Sequence, residues 1–79
     1  MNITLFGAMI RFHRKKAGLS QKELADLSGV GKTIVFDLEK GKETIRLNSF
    51  LKILEGLNIQ MNFSGPLMEH FKQQYHEKG

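Results

Sequence analysis

Apolar residues at the start of the chain fall at Ile3, Phe6, Met9, Ile10, Phe12 and Ala17, mostly at helical spacing. Arg14, Lys15 and Lys16 follow, then Gly18, so cations sit at the negative end of a helix dipole just before a glycine stop. A first helix is predicted over about residues 5–17. Leu24, Ala25 and Leu27 give the inner side of a second over about 21–28, and Val35 and Leu38 that of a third over about 32–40. Leu47, Phe50, Leu51, Leu54 and Leu57 repeat at i, i+3, i+4 and i+7, which predicts a fourth helix over about 47–57, closed by Gly56-Leu57-Asn58. The period then changes. Ile59-Gln60-Met61-Asn62-Phe63-Ser64 alternates in twos, the pattern of a strand over 59–63. Pro66 suits the first turn of a last helix with a narrow stripe of Leu67, Met68, Phe71 and Tyr75.

The punctuation between these elements is specific. Ser20-Gln21-Lys22-Glu23 has the form of a capping box, with the serine hydroxyl accepting from the amide of residue 23 and Glu23 reaching back. Ser28-Gly29-Val30-Gly31 is a tight turn in which Gly29 tolerates a left-handed backbone. Two short helices joined in this way, the second opening with Lys32 and Thr33, can hold one helix across a DNA backbone and the next in the major groove.

Charge agrees with that layout without requiring it. Residues 1–52 carry ten Lys or Arg against five Asp or Glu, whereas residues 53–79 carry two against three. A basic front half suits a polyanion, because each neutralised phosphate releases counterions, but a well-solvated surface fits equally. Seventy-nine residues make one domain with a modest core. We divide it into residues 1–64, which include the strand, and a tail over 65–79. A lone strand in a helical chain leaves both edges unpaired. It either pairs with a second copy across a two-fold axis through Ile59, Met61 and Phe63, or packs as an extended segment on its own helices. The tail helix covers that seam, docks a partner protein, or is loosely ordered.

Catalytic and metal chemistry find little support. The three histidines, His13, His70 and His76, include no i, i+4 pair, and cysteine is absent, so no metal or cofactor is expected. Gly31-Lys32-Thr33 ends like a phosphate-binding loop, yet no glycine stands at the earlier register such a loop needs. The eight acids form no pair suggestive of acid–base work. No apolar run nears the roughly 20 residues that span a bilayer, and no signal segment is evident, which gives a cytoplasmic, nucleoid-associated expectation. An enzyme is not expected.

Taken together, Ile10-Arg11, Arg14, Gly18-Leu19-Ser20-Gln21, Glu23-Leu24-Ala25, Gly29-Val30, Val35, Leu38-Glu39-Lys40-Gly41-Lys42 and Leu47 resemble the lambda-repressor-like helix-turn-helix domain of the Cro/XRE type. The resemblance spans about residues 10–59. The continuation Phe50-Leu51-Lys52-Ile53-Leu54-Glu55-Gly56-Leu57-Asn58-Ile59-Gln60-Met61 is similar to the HipB-type antitoxins, small repressors whose C-terminal strand pairs across a dimer. It implies a compact all-α fold of four to five helices and a homodimer on a palindromic operator. Two recognition helices would lie about 34 Å apart. It also implies repression of the protein's own promoter and a kinase-fold, HipA-like toxin partner, whole or split. The alternatives are a stand-alone phage-like or housekeeping repressor and a protein-interaction module that leaves DNA alone.

The same resemblance assigns roles. Lys32, Thr33 and Asp37 fall at base-reading positions: lysine donates to guanine, threonine meets a thymine methyl or hydrogen-bonds, and aspartate accepts from cytosine. Asp37 otherwise orients Lys32 or Thr33, or stays outside the contact. Phe36 departs from the family, which favours a small or polar residue there; it touches a thymine methyl or folds inward beside Ile34. Gln21 would touch phosphate and brace the third helix. Lys40, Lys42 and Arg46 would clamp phosphates, which positions a protein without specifying sequence. Arg14 and Glu39 would form an ion pair inside the domain.

Overall fold

The computed structural model describes residues 2–75; the expectations for His76 and the end of the tail lie outside them. Five helices follow one another: α1 (Thr4–Lys16), α2 (Gln21–Ser28), α3 (Lys32–Glu39), α4 (Leu47–Gly56) and α5 (Met68–Gln74). The first four lie within a residue or so of the predicted spans. Their stops share one device. At each of Gly18, Gly29, Gly41 and Asn58 the backbone turns left-handed, and the next amide reaches back five residues to a helix carbonyl. At α4 these bonds run from Ile59 N–H to the Leu54 carbonyl (2.9 Å) and from Asn58 N–H to the Glu55 carbonyl (3.0 Å), a Schellman closure. Asn58, at φ 57°, performs there what glycine performs at the other three.

Ile10, Leu24, Ala25, Val35, Leu38, Phe50, Ile53 and Leu54 form one core where α1, α2, α3 and α4 meet. Phe6 packs on it, its ring 5.3 Å from that of Phe50. Several expected core residues lie elsewhere: Phe12, Leu27, Leu47 and Leu51 are exposed, and Ile53, outside the expected stripe, is fully buried. The reason is a narrow seam. Helices of eight to thirteen residues cross over a short contact, so only their central turns are enclosed and the outer members of each stripe reach water. Backbone approach is close at two glycines. A Cβ on Gly7 would collide with the Leu38 carbonyl, and one on Gly56 would lie 2.5 Å from Ser28 Oγ.

Past α4 the expectation of a strand meets a difference. Residues 59–65 are neither helix nor strand, because the described chain offers no second extended segment to complete a ladder. Ile59 is half-buried against the core, whereas Met61 and Phe63 are exposed. α5 starts at Met68 after a Pro66-Leu67 turn rather than at the proline itself. Its Phe71 and Tyr75 rings stack at 4.8 Å, and both remain exposed. The radius of gyration is 14.4 Å, against about 12 Å for a compact chain of this length. The segment after α4 extends away from the body.

Candidate nucleic-acid interface

Glu39, at the end of α3, is the anchor of the helix-turn-helix unit. Arg14 of α1 donates to it twice, from Nε at 2.6 Å and Nη2 at 2.9 Å, while Nη1 donates to the Leu19 carbonyl at 2.8 Å. Only 10% of the Arg14 side chain and 3% of the Glu39 side chain meet solvent. The hydrogen bond to Glu39 raises the Arg14 pKa above its ordinary value, against the opposing effect of burial. Gln21 Nε2 donates to the same carboxylate at 3.2 Å. One carboxylate therefore ties α1 and the start of α2 to the end of α3. The capping box of α2 is complete: Ser20 Oγ accepts from the Glu23 amide at 3.0 Å, and the Ser20 amide donates to Glu23 at 2.8 Å. The backbone bond from Ser20 lowers the Glu23 pKa most, helped by the one from its side chain.

This frame turns one side of α3 outward. Lys32, Thr33, Phe36 and Lys40 are exposed along it, one turn apart from Lys32 to Phe36 to Lys40, while Val35 and Leu38 face the core. Phe36 points to solvent and not inward beside Ile34; its ring carries the Lys40 ammonium 5.0 Å from its centroid. Phe36 thus forms an apolar ridge flanked by cations. Asp37 does not meet Lys32 or Thr33. Its carboxylate faces Lys42 Nζ at 3.5 Å, so the cation expected on phosphate is shared with an acid. Arg46, exposed at the N-cap of α4, lies past these two.

Gln21 and Lys32 share a shallow recess with Arg11, Lys15, Ser20 and Lys22. Arg11 and Lys15 are not among the site residues expected from the sequence. Their signal was present: an i, i+4 pair on α1 that brackets the buried Arg14 in sequence while both of its members stay exposed. Charge at the end of a helix is equally explained by the dipole, which hid it.

Four helices around one core, with the third presented on a cationic side and braced by the second, define a helix-turn-helix domain. The chain belongs to the helix-turn-helix family HTH_3 of the Cro/XRE type, which matches residues 10–63. Over 60 residues it is 38% identical to the uncharacterized HTH-type transcriptional regulator y4mF of Sinorhizobium fredii (strain NBRC 101917 / NGR234), covering 76% of this chain and 79% of that protein. The solved structure of an MDT Protein matches in fold, with a TM-score of 0.74, 24% identity, and coverage of 84% of this chain and 93% of its own. The protein is a DNA-binding transcriptional regulator of the helix-turn-helix class. Among the described residues no helix is long and apolar enough to cross a membrane.

Proposed function

We propose that the protein is a repressor that occupies a palindromic operator as a homodimer and serves as the HipB-like antitoxin of a toxin–antitoxin operon. The observation that carries repression is the exposed row on α3. Lys32 and Thr33 read base edges, Phe36 supplies an apolar contact beside them, and Lys40, Lys42 and Arg46 hold phosphates. Gln21 divides its polar head between bracing Glu39 and the backbone of the duplex.

The dimer reading is supported by where apolar surface is left uncovered. Leu51, Leu54, Ile59 and Met61 line a shallow groove, and Met61, Phe63, Met68, Phe71 and Tyr75 line the next. Both grooves share Met61, on a segment whose backbone has no partner strand. A second copy supplies that strand and covers both grooves. The antitoxin reading rests on the resemblance of residues 50–61 to that group and on the exposed aromatic pair Phe71 and Tyr75 at α5. Its partner would be a kinase-fold toxin.

Gel-shift titration on the DNA upstream of the protein's own gene tests repression. Sequence-specific binding that weakens steeply with salt is expected; no shift at micromolar protein sinks the reading. Co-purification from the native host tests the antitoxin role. A kinase-like protein encoded beside this gene and recovered in the complex supports it. Recovery of the homodimer alone, with no such reading frame nearby, leaves a stand-alone repressor.

A further inference from the structure

Phe36 is the one large apolar side chain that α3 leaves exposed, at 44% of its surface, while Ile34 packs half-buried against the core. A lone exposed aromatic is ordinary on a protein surface. This one stands at the middle of the outward row, one turn from Lys32 and one turn from Lys40. The Lys40 ammonium lies over one face of the ring, 5.0 Å from its centroid, and restrains the ring without enclosing it. Asp37, the next residue, carries a carboxylate that could accept from a cytosine amino group. That carboxylate is instead turned to Lys42 Nζ at 3.5 Å. What α3 presents at the centre of its row is therefore a surface with no hydrogen-bonding group.

A phenyl ring cannot answer the donors and acceptors that distinguish base pairs in the major groove. The one apolar group displayed there is the methyl on C5 of thymine. 5-Methylcytosine carries the same methyl on the same ring atom, directed into the same groove. We propose that Phe36 makes binding depend on a pyrimidine C5 methyl whichever base bears it. Thymine and 5-methylcytosine are then accepted alike at one step of each half-site, and methylation of a cytosine at that step strengthens binding. The ring is blind to the exchange of the O4 acceptor for the N4 amino group beside C5, since it can bond to neither. Lys32 and Thr33 read neighbouring steps through polar groups and fix where the ring falls. The ligand class is a C5-methylated pyrimidine in duplex DNA, and the methylation state of the site becomes an input to the regulator. The inference rests on the DNA-binding reading above and adds to it a dependence on DNA modification.

The test uses the full chain and a duplex selected from a random pool, with affinity measured by anisotropy. Each thymine in turn is replaced by deoxyuridine, symmetrically in both half-sites. At one step this is expected to weaken binding about fourfold per half-site, the worth of one buried methyl group. A C·G pair at the same step weakens binding comparably, and methylation of that cytosine restores it. Phe36→Ala removes all of these differences, and because the ring is exposed the melting temperature stays at the parent value. Lys32→Ala serves as control: it lowers affinity and keeps the methyl preference. A parent protein indifferent to every methyl overturns the proposal, a result that needs no variant. A preference that survives Phe36→Ala belongs to another side chain and overturns it too. Loss with deoxyuridine and no recovery with 5-methylcytosine overturns the equivalence of the two bases. Failure of the parent protein to bind any selected duplex is a different result and sinks the DNA-binding reading itself.

Discussion

At the scale of the residue, Glu39 has more depending on it than any other side chain. It is nearly closed to solvent and accepts from both Arg14 and Gln21. Glu39→Ala leaves Arg14 charged in a pocket that no longer answers it, with a cost expected at about 3 kcal/mol. For a chain of this size that is a loss of roughly 12–24 °C in melting temperature. Glu39→Gln keeps an acceptor and is expected to lose less; equal melting of both variants with the parent would disprove the anchor. Glu23 gives a second, pH-dependent expectation. Its folded pKa lies below the ordinary 4.5, so the capping box contributes stability above that value and loses it as pH falls through the lower, folded one. The protection of the Ser20 and Glu23 amides, taken relative to their intrinsic exchange rates, should therefore fall only in acid below the usual carboxylate range. Loss of protection near neutrality would contradict the depressed pKa.

Residue roles differ in how far the sequence discloses them. The capping box and the glycine turn are legible because they are local and each atom's partner lies within a few positions. The pairing of Asp37 with Lys42 was not, since five residues across a helix end is neither a helical nor a strand spacing. Gly7 was equally opaque. It reads as an interruption of an apolar run, yet it is the point where α1 meets the Leu38 carbonyl of α3, a tertiary fact with no local signature.

Elements were more legible than their packing. Periodicity locates α1 to α4, because an amphipathic helix must repeat its apolar residues whatever it packs against. It does not say how much of each stripe is enclosed, and Leu47 and Leu51 stay outside while Ile53 goes in. The strand pattern over 59–63 shows the same limit: alternation announces a surface with two sides, and pairing needs a partner outside the pattern. On α3, expected effects separate by position. Lys32→Ala or Thr33→Ala should weaken specific binding by about 1–3 kcal/mol and relax preference at one base pair. Asp37→Asn releases Lys42 and removes a negative charge beside phosphate. It should tighten binding to all sequences and steepen the salt slope, as anisotropy titrations would read. A loss of preference at one base pair would instead make Asp37 a reader of cytosine.

At the scale of the whole molecule, the body and the segment beyond it behave as separate parts. Ile59 is the last apolar residue packed against the core among the described residues. Under the proposed dimer, truncation after residue 60 should keep the helical signal and the melting of the body while reducing the solution mass from twice the 9.0 kDa of one chain to that of a single short chain. Affinity for a palindrome should fall to that for one half-site. A truncated protein that still sediments as a dimer would place the seam elsewhere, on the exposed side of α4.

Asn58 links those two parts. Its left-handed backbone, locked by two hydrogen bonds into the end of α4, sets the direction in which the chain leaves the reading body. In a symmetric pair that one dihedral works as a protractor, fixing the angle between two reading heads and hence the number of base pairs they straddle. Operator length would then be written partly in a single backbone torsion, far from any base.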